Sequence, residues 1–123
     1  MSFEWSDFLA VADALAIADW DVNREASLRT AISRAYYAAF GVARRRARSI
    51  RLATRRSAAE HGEVAAFYAA RYGERGEQAA LMLGRLRKRR NAADYDDDLA
   101  EVENLCNLSV DDAHNLLTLL ASL

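Results

Sequence analysis

The sequence predicts an all-α domain whose five helices pack as a bundle. Three observations lead there. Proline is absent and glycine occurs only 5 times in 123 residues, so the turn chemistry of a hairpin-rich sheet is missing. Alanine and leucine, both good helix formers, dominate an apolar fraction of 52%. Apolar residues also recur every three to four positions through five separate stretches.

Taken in order, Ser6 followed by Asp7 reads as a helix start, with an acid in the first turn where the helix dipole favours it. Phe8, Val11, Ala12, Leu15 and Ala18 or Asp19 continue with helical spacing and end near Trp20. Asp21 to Ala26 is mostly polar and reads as a connection. A longer helix is predicted from about Ala26 to Arg48 on the stripe Leu28, Ala31, Ile32, Ala35, Tyr36, Ala39, Val42 and Ala43. On that helix Arg29, Ser33, Tyr37, Phe40 and Arg44 fall on a second face. Aromatics on two faces suit a helix central to a bundle, or one that enters a subunit interface.

Ser49 to Ala59 loses periodicity and reads as a loop. A third helix is predicted near Glu60 to Tyr72, with His61, Val64, Ala65, Tyr68 and Tyr72 in line. Gly73 and Gly76 bracket a turn. The fourth helix, about Glu77 to Ala93, carries Ala79, Met82, Leu83, Leu86 and Ala93. After an acidic break at 94–98, a last helix carries Leu99, Val102, Leu105, Cys106, Ala113, Leu116, Leu117 and Leu120. With no internal repeat or low-complexity linker, residues 1–123 read as one domain.

A net charge of −1 conceals two basic blocks. Arg44, Arg45, Arg46, Arg48, Arg51, Arg55 and Arg56 form the first; Arg85, Arg87, Lys88, Arg89 and Arg90 form the second. Acid follows at Asp94, Asp96, Asp97, Asp98, Glu101 and Glu103. Arginine forks suit phosphate, although a high-GC genome enriches arginine and alanine as well. The lone Cys106 leaves no internal disulfide to form, which points to a reducing cytoplasm. The start, MSFEWSDF, carries no basic segment followed by an apolar one, so no signal peptide is expected. No apolar run approaches the roughly 20 residues that span a bilayer.

Arg90 breaks its own pattern. It continues the stripe Leu83, Leu86, Ala93, so a permanent cation stands where a leucine is expected. An unpaired buried charge costs several kcal/mol, so Arg90 requires a partner, a ligand or access to water. Asp94, one turn on, can serve as that partner, although an acid at a helix C-terminus opposes the dipole. Two readings stay open. In one, Arg90 and Asp94 clamp the end of the fourth helix to the beginning of the fifth, with Tyr95 packed nearby. In the other, they line a polar notch for phosphate or RNA.

Three blocks then fall into a known order. They are AISRAYYAAFGVARR (Ala31 to Arg45), HGEVAAF (His61 to Phe67) and RNAADY (Arg90 to Tyr95). Together they resemble a prokaryotic branch of the HEPN superfamily (higher eukaryotes and prokaryotes nucleotide-binding), whose members read S-R-A-Y-Y-A-A-F, then a histidine block, then R-x-x-A-D-Y. The resemblance implies an up-and-down bundle of four main helices plus a shorter one, usually a homodimer. It also implies a place in toxin–antitoxin or defence-like systems, either as a metal-independent endoribonuclease or as the partner of a small nucleotidyltransferase.

In active members an arginine and a polar residue, often asparagine, are followed four to six positions later by a histidine. Arg90 and Asn91 match the first half. Tyr95, Asp96 and Asp97 occupy the positions where the histidine belongs. Attack by a 2′-hydroxyl needs a base and an acid, and imidazole serves as both near neutral pH. Aspartate, with a pKa of about 3.9, and tyrosine, at about 10, serve poorly. His61 is the candidate stand-in, with a packing role as its alternative; nothing in the spacing of His114 pairs it with Arg90. The expected catalytic set is therefore Arg90, Asp94 and His61, with Arg87, Asn91, Tyr95 and Arg44 contacting RNA or nucleotide. Tyr95 resembles a tyrosine that partner transferases nucleotidylate in some members, and a packed tyrosine is its other reading. No zinc spacing, phosphate-binding glycine loop or nucleophile elbow occurs, so no metal or cofactor is expected.

Overall fold

The computed structural model describes residues 2–18 and 23–123. Among them are five helices and no strand: α1 (Asp7–Ala16), α2 (Arg24–Ile50), α3 (Ala59–Arg71), α4 (Gly73–Tyr95) and α5 (Val102–Ala121). Helix α2 packs against all four others, α5 also meets α1 and α4, and α3 rests mainly on α4. The two aromatic faces of α2 thus follow from its central position. Its main stripe holds: Leu28, Ala31, Ile32, Ala35, Tyr36, Ala39 and Ala43 are buried. They meet Val64, Tyr68, Leu83, Leu86, Leu116 and Leu120 from the other helices. A fully buried aliphatic side chain of this size contributes roughly 1.5–3 kcal/mol. Among the described residues no helix is long and apolar enough to cross a membrane.

The helix ends depart from the predicted ones, each for a local reason. Helix α1 starts at Asp7 as expected, but the Ser6 side chain makes no capping bond. It closes at Ala16 rather than near Trp20; Asp19, Trp20 and the first part of the predicted connection lie outside the described residues. The rest of that connection is helix. Asn23 accepts a 3.0 Å hydrogen bond from the Ala26 amide and caps α2, so its polarity is capping chemistry. Helix α4 begins at Gly73, four residues before the predicted start. Gly73 turns the chain with a φ of +61°, which only glycine adopts without penalty. Gly76 is not part of the turn. It lies in the first turn of α4 against the Tyr68 carbonyl, where a Cβ would also come within 2.9 Å of Tyr72 Cβ. Here glycine is a contact that lets α3 and α4 close on each other.

Helix α3 is fastened to α2 by buried polar bonds. Tyr68 donates a 2.8 Å bond to the Ala43 carbonyl. Glu60, only 3% exposed, accepts from Thr54 at 2.7 Å, from Arg44 at 3.4 Å and from Arg48. Burial pushes the Glu60 carboxyl up, yet the Thr54 hydroxyl and the Arg48 and Arg44 charges outweigh it and hold its pKa below the ordinary 4.5.

Candidate functional site

Arg90 occupies the apolar stripe of α4 as the spacing requires, flanked by buried Leu86 and Ala93. Its side chain is 13% exposed. Nε donates to Asp94 Oδ2 at 3.0 Å and one terminal nitrogen donates to Asn91 Oδ1 at 2.6 Å. The guanidinium carbon lies 5.1 Å from the Tyr37 ring centroid, 5.7 Å from that of Tyr95 and 6.0 Å from that of Tyr36. Aromatic faces and one carboxylate therefore accommodate the cation.

The clamp runs in a direction that spacing did not give. Asp94 Oδ2 also accepts from the Ser33 hydroxyl at 3.2 Å, so Arg90 and Asp94 tie α4 to α2 rather than to α5. Tyr95 is 73% exposed; it is not a packed residue, since α4 ends there with its ring turned outward beside Arg90.

Arg29 completes this corner. It donates to the carbonyls of Ala93 at 3.1 Å, Asp96 at 2.6 Å and Asp97 at 3.4 Å, and pairs with Glu25 at 3.0 Å. A cation on the last carbonyls of α4 offsets the adverse placement of Asp94 at the negative end of the helix dipole. The signal for Arg29 was its register with Ser33 and Tyr37 on the second face of α2.

Tyr36 separates this corner from His61. The phenol is buried, and its hydroxyl is hydrogen-bonded to His61 Nδ1. The imidazole stacks on Phe40, with centroids 4.4 Å apart. Burial raises the Tyr36 pKa far above its ordinary value, so the hydroxyl keeps its proton. A neutral imidazole that accepts at Nδ1 carries its own proton on Nε2. Burial, then the charges of Arg87 and Arg90, hold the His61 pKa below its ordinary 6.5, with Glu60 opposing them. His61 is therefore neutral at pH 7, and in this tautomer Nε2 is a donor.

Arg87, one turn before Arg90 on α4, acts on the same pair through its charge. Its Nε is shut off from solvent and has no hydrogen-bond partner. Among the described residues no carboxylate neutralises it. The Arg90 guanidinium, a neutral imidazole and the Tyr37 ring thus meet around Tyr36, with the Arg87 charge acting on it as well.

Arg44 lies elsewhere. Its guanidinium pairs with Glu60 and sits 4.8 Å from the Trp5 ring and 5.4 Å from that of Phe40. There it lines a cavity of about 470 Å³ together with Trp5, Phe8, Arg34, Tyr37, Arg56 and His61. Asp94, Ser33 and Arg29 line a second hollow of about 450 Å³, and Arg34 borders both. Sequence reasoning missed Trp5, Phe8 and Arg34 as site residues, although Arg34 stands inside the S-R-A-Y-Y block. His114 bonds Asp13 at 2.9 Å, joins α5 to α1 and takes no part. Among the described residues no three His, Cys, Asp or Glu side chains converge to hold a metal ion. No family model, no curated protein and no solved structure matches this chain.

Proposed function

We propose that this chain is a HEPN-type module of a toxin–antitoxin or defence-like system that binds RNA or a nucleotide around Arg90, Asp94 and Arg87. The observation that carries the reading is Arg87: a guanidinium with no carboxylate partner among the described residues, beside a second one seated on aromatic rings. Nε itself is closed to solvent, so a phosphate oxygen would supply the missing counter-charge at the terminal nitrogens of the partly exposed Arg87, and arginine is the side chain best shaped to hold it. Asn91 and the exposed ring of Tyr95 lie at the rim, within reach of a sugar or base.

Cleavage is the weaker half of the reading. Asp94 Oδ2 is already committed to Ser33 and Arg90, and with the Tyr36 hydroxyl donating to Nδ1, His61 turns a donor rather than a base to the cavity. An imidazole donor stabilises a developing negative charge but does not abstract the 2′-hydroxyl proton. The resemblance further implies a homodimer, which would bring two such corners to one RNA strand.

A second reading has its own support. The Ser33–Asp94–Arg90 chain is a clamp between α2 and α4, which suits a non-catalytic module partnering a small nucleotidyltransferase. Electrophoretic mobility shift and cleavage assays with single-stranded RNA separate the two, run on wild type, Arg87→Ala and Arg90→Ala with thermal melts as fold controls. Loss of RNA binding in a folded Arg87→Ala variant supports the first reading. RNA binding by wild type that neither variant changes refutes it.

A further inference from the structure

Along the second face of α2, guanidinium groups and rings alternate. The Tyr37 ring has the Arg90 guanidinium carbon at 5.1 Å and that of Arg34 also at 5.1 Å. Arg34 lies 4.7 Å from the Phe8 centroid. Phe8 and Trp5 are themselves 5.8 Å apart at 64°, forming one wall of the 470 Å³ cavity. The stripe is continuous from the Arg90 corner into that cavity, with Tyr37 and Arg34 as the link.

The charges there are not balanced among the described residues. Among the described residues Glu60 is the one acid lining the cavity, and it is taken up by Thr54, Arg44 and Arg48. Arg34 makes a single 3.4 Å contact with Ser33 Oγ, and neither Arg34 nor Arg56 has a carboxylate partner among the described residues. A hollow of this size with ring walls and unneutralised cations selects a flat π-system attached to a negative charge. Surfaces that hold single strands combine the same two parts: cations that track phosphates, and rings on which bases stack.

We infer that the cavity bounded by Trp5, Phe8, Arg34, Tyr37, Arg56 and His61 is a subsite for one unstacked base of a single-stranded RNA whose backbone lies on Arg87 and Arg90. The inference rests on the RNA-binding reading and adds where the strand runs and which residues touch a base. Phe8 supplies the stacking surface, the His61 imidazole hydrogen-bonds the edge of the base, and Arg56 at the rim holds the adjoining phosphate.

The test compares two fluorescently labelled RNAs of equal length and charge, about 12 nucleotides each, by anisotropy. One carries all its bases; in the other the central positions are abasic. Wild type is expected to bind the base-bearing strand about fivefold or more tighter, and Phe8→Leu to erase that preference. Arg56→Ala, on an exposed loop, is expected to weaken both strands and reduce the salt dependence by about one phosphate contact.

Equal binding of the two strands by wild type overturns the base subsite and leaves the phosphate-binding reading standing. So does a base preference that survives in Phe8→Leu. If wild type binds neither strand, the proposed function fails first and the subsite falls with it.

Discussion

The Trp5 wall of the cavity depends on the absence of a side chain on α2. A methyl group on Gly41 would come within 2.5 Å of Trp5 Cε3 and closer still to Cγ and Cδ2, against an ordinary carbon–carbon contact of about 3.5–4.0 Å. Gly41→Ala therefore sets two effects against each other. In a helix interior alanine is favoured over glycine by roughly 0.8–1.0 kcal/mol. Opposing this, the indole must leave its seat, where it contacts Phe3 at 5.3 Å, Phe8 at 5.8 Å and the Arg44 guanidinium at 4.8 Å.

Each aromatic pair contributes about 0.5–1.5 kcal/mol and an exposed cation–π contact about 0.5–1 kcal/mol. Trp5 is half-buried in a terminal segment, so the lower ends of those ranges apply. At those lower ends the sum lost is about 1.5 kcal/mol and the net destabilisation about 0.5–0.7 kcal/mol, using the ranges just given. Urea unfolding followed by circular dichroism measures it without relying on the displaced tryptophan. The sign is decided by a cycle: in a Trp5→Ala background, Gly41→Ala is expected to stabilise by about 1 kcal/mol, since only the helix preference remains. If Gly41→Ala stabilises the wild-type background as well, the indole is not seated on α2 and the cavity has no such wall.

Two further outcomes follow from groups whose pKa the fold displaces. The depressed pKa of Glu60 means that its carboxylate stabilises the fold above the unfolded value, near 4.5, and that this contribution drains away as pH falls through the lower folded value. Glu60→Gln is expected to lower stability at pH 7 by about 1–3 kcal/mol, below the range for a fully buried pair because Arg44 and Arg48 retain some water. The variant's stability is also expected to be flatter than wild type below pH 4.5 in a series of urea melts; parallel acid slopes would refute the clamp. His61 has the same sign for a different reason. Its folded pKa is depressed, so the unfolded chain takes up the proton first and stability declines as pH falls from about 6.5 until the native ring also protonates. Removing a neighbouring cation in Arg87→Gln is expected to move the His61 midpoint upward in NMR titration; an unmoved midpoint means that the Arg87 charge does not act on the ring.

Periodicity made the five helices and the two-faced centre of α2 legible, because burial repeats with the helix and the apolar residues record it. It also exposed Arg90, since a cation on an apolar stripe is visible without coordinates. What periodicity does not carry is direction across the bundle. Asp94 was readable as a partner for Arg90, but only packing brings Ser33 to the same carboxylate oxygen. Helix ends failed where one residue type has two uses: Asn23 looked like linker and is a cap, and Gly76 looked like a turn and is a helix contact. The cavity was the least legible feature. Its walls come from the first turn of α1 and the segment leading into it, α2, the loop before α3 and the start of α3, and no short motif spans those pieces.

That distribution divides the site into halves with separate mechanical supports. The Arg90 corner is made by α2 and α4 through Ser33, Asp94 and the Arg29 bonds to the α4 carbonyls. The His61 half depends on the start of α3, which Glu60 and the Tyr36 hydroxyl hold against α2. Loosening Glu60 should therefore release His61 and open the cavity wall while leaving Arg90 paired. On the proposed reading, a protein so altered keeps phosphate binding at the Arg90 corner and loses base selection, a combination that no general loss of folding produces. Glu60→Gln thus reports on mechanism as well as stability: weakened discrimination between base-bearing and abasic RNA with retained binding is the expected signature of two supports, and joint loss of both properties in a folded variant is that of one.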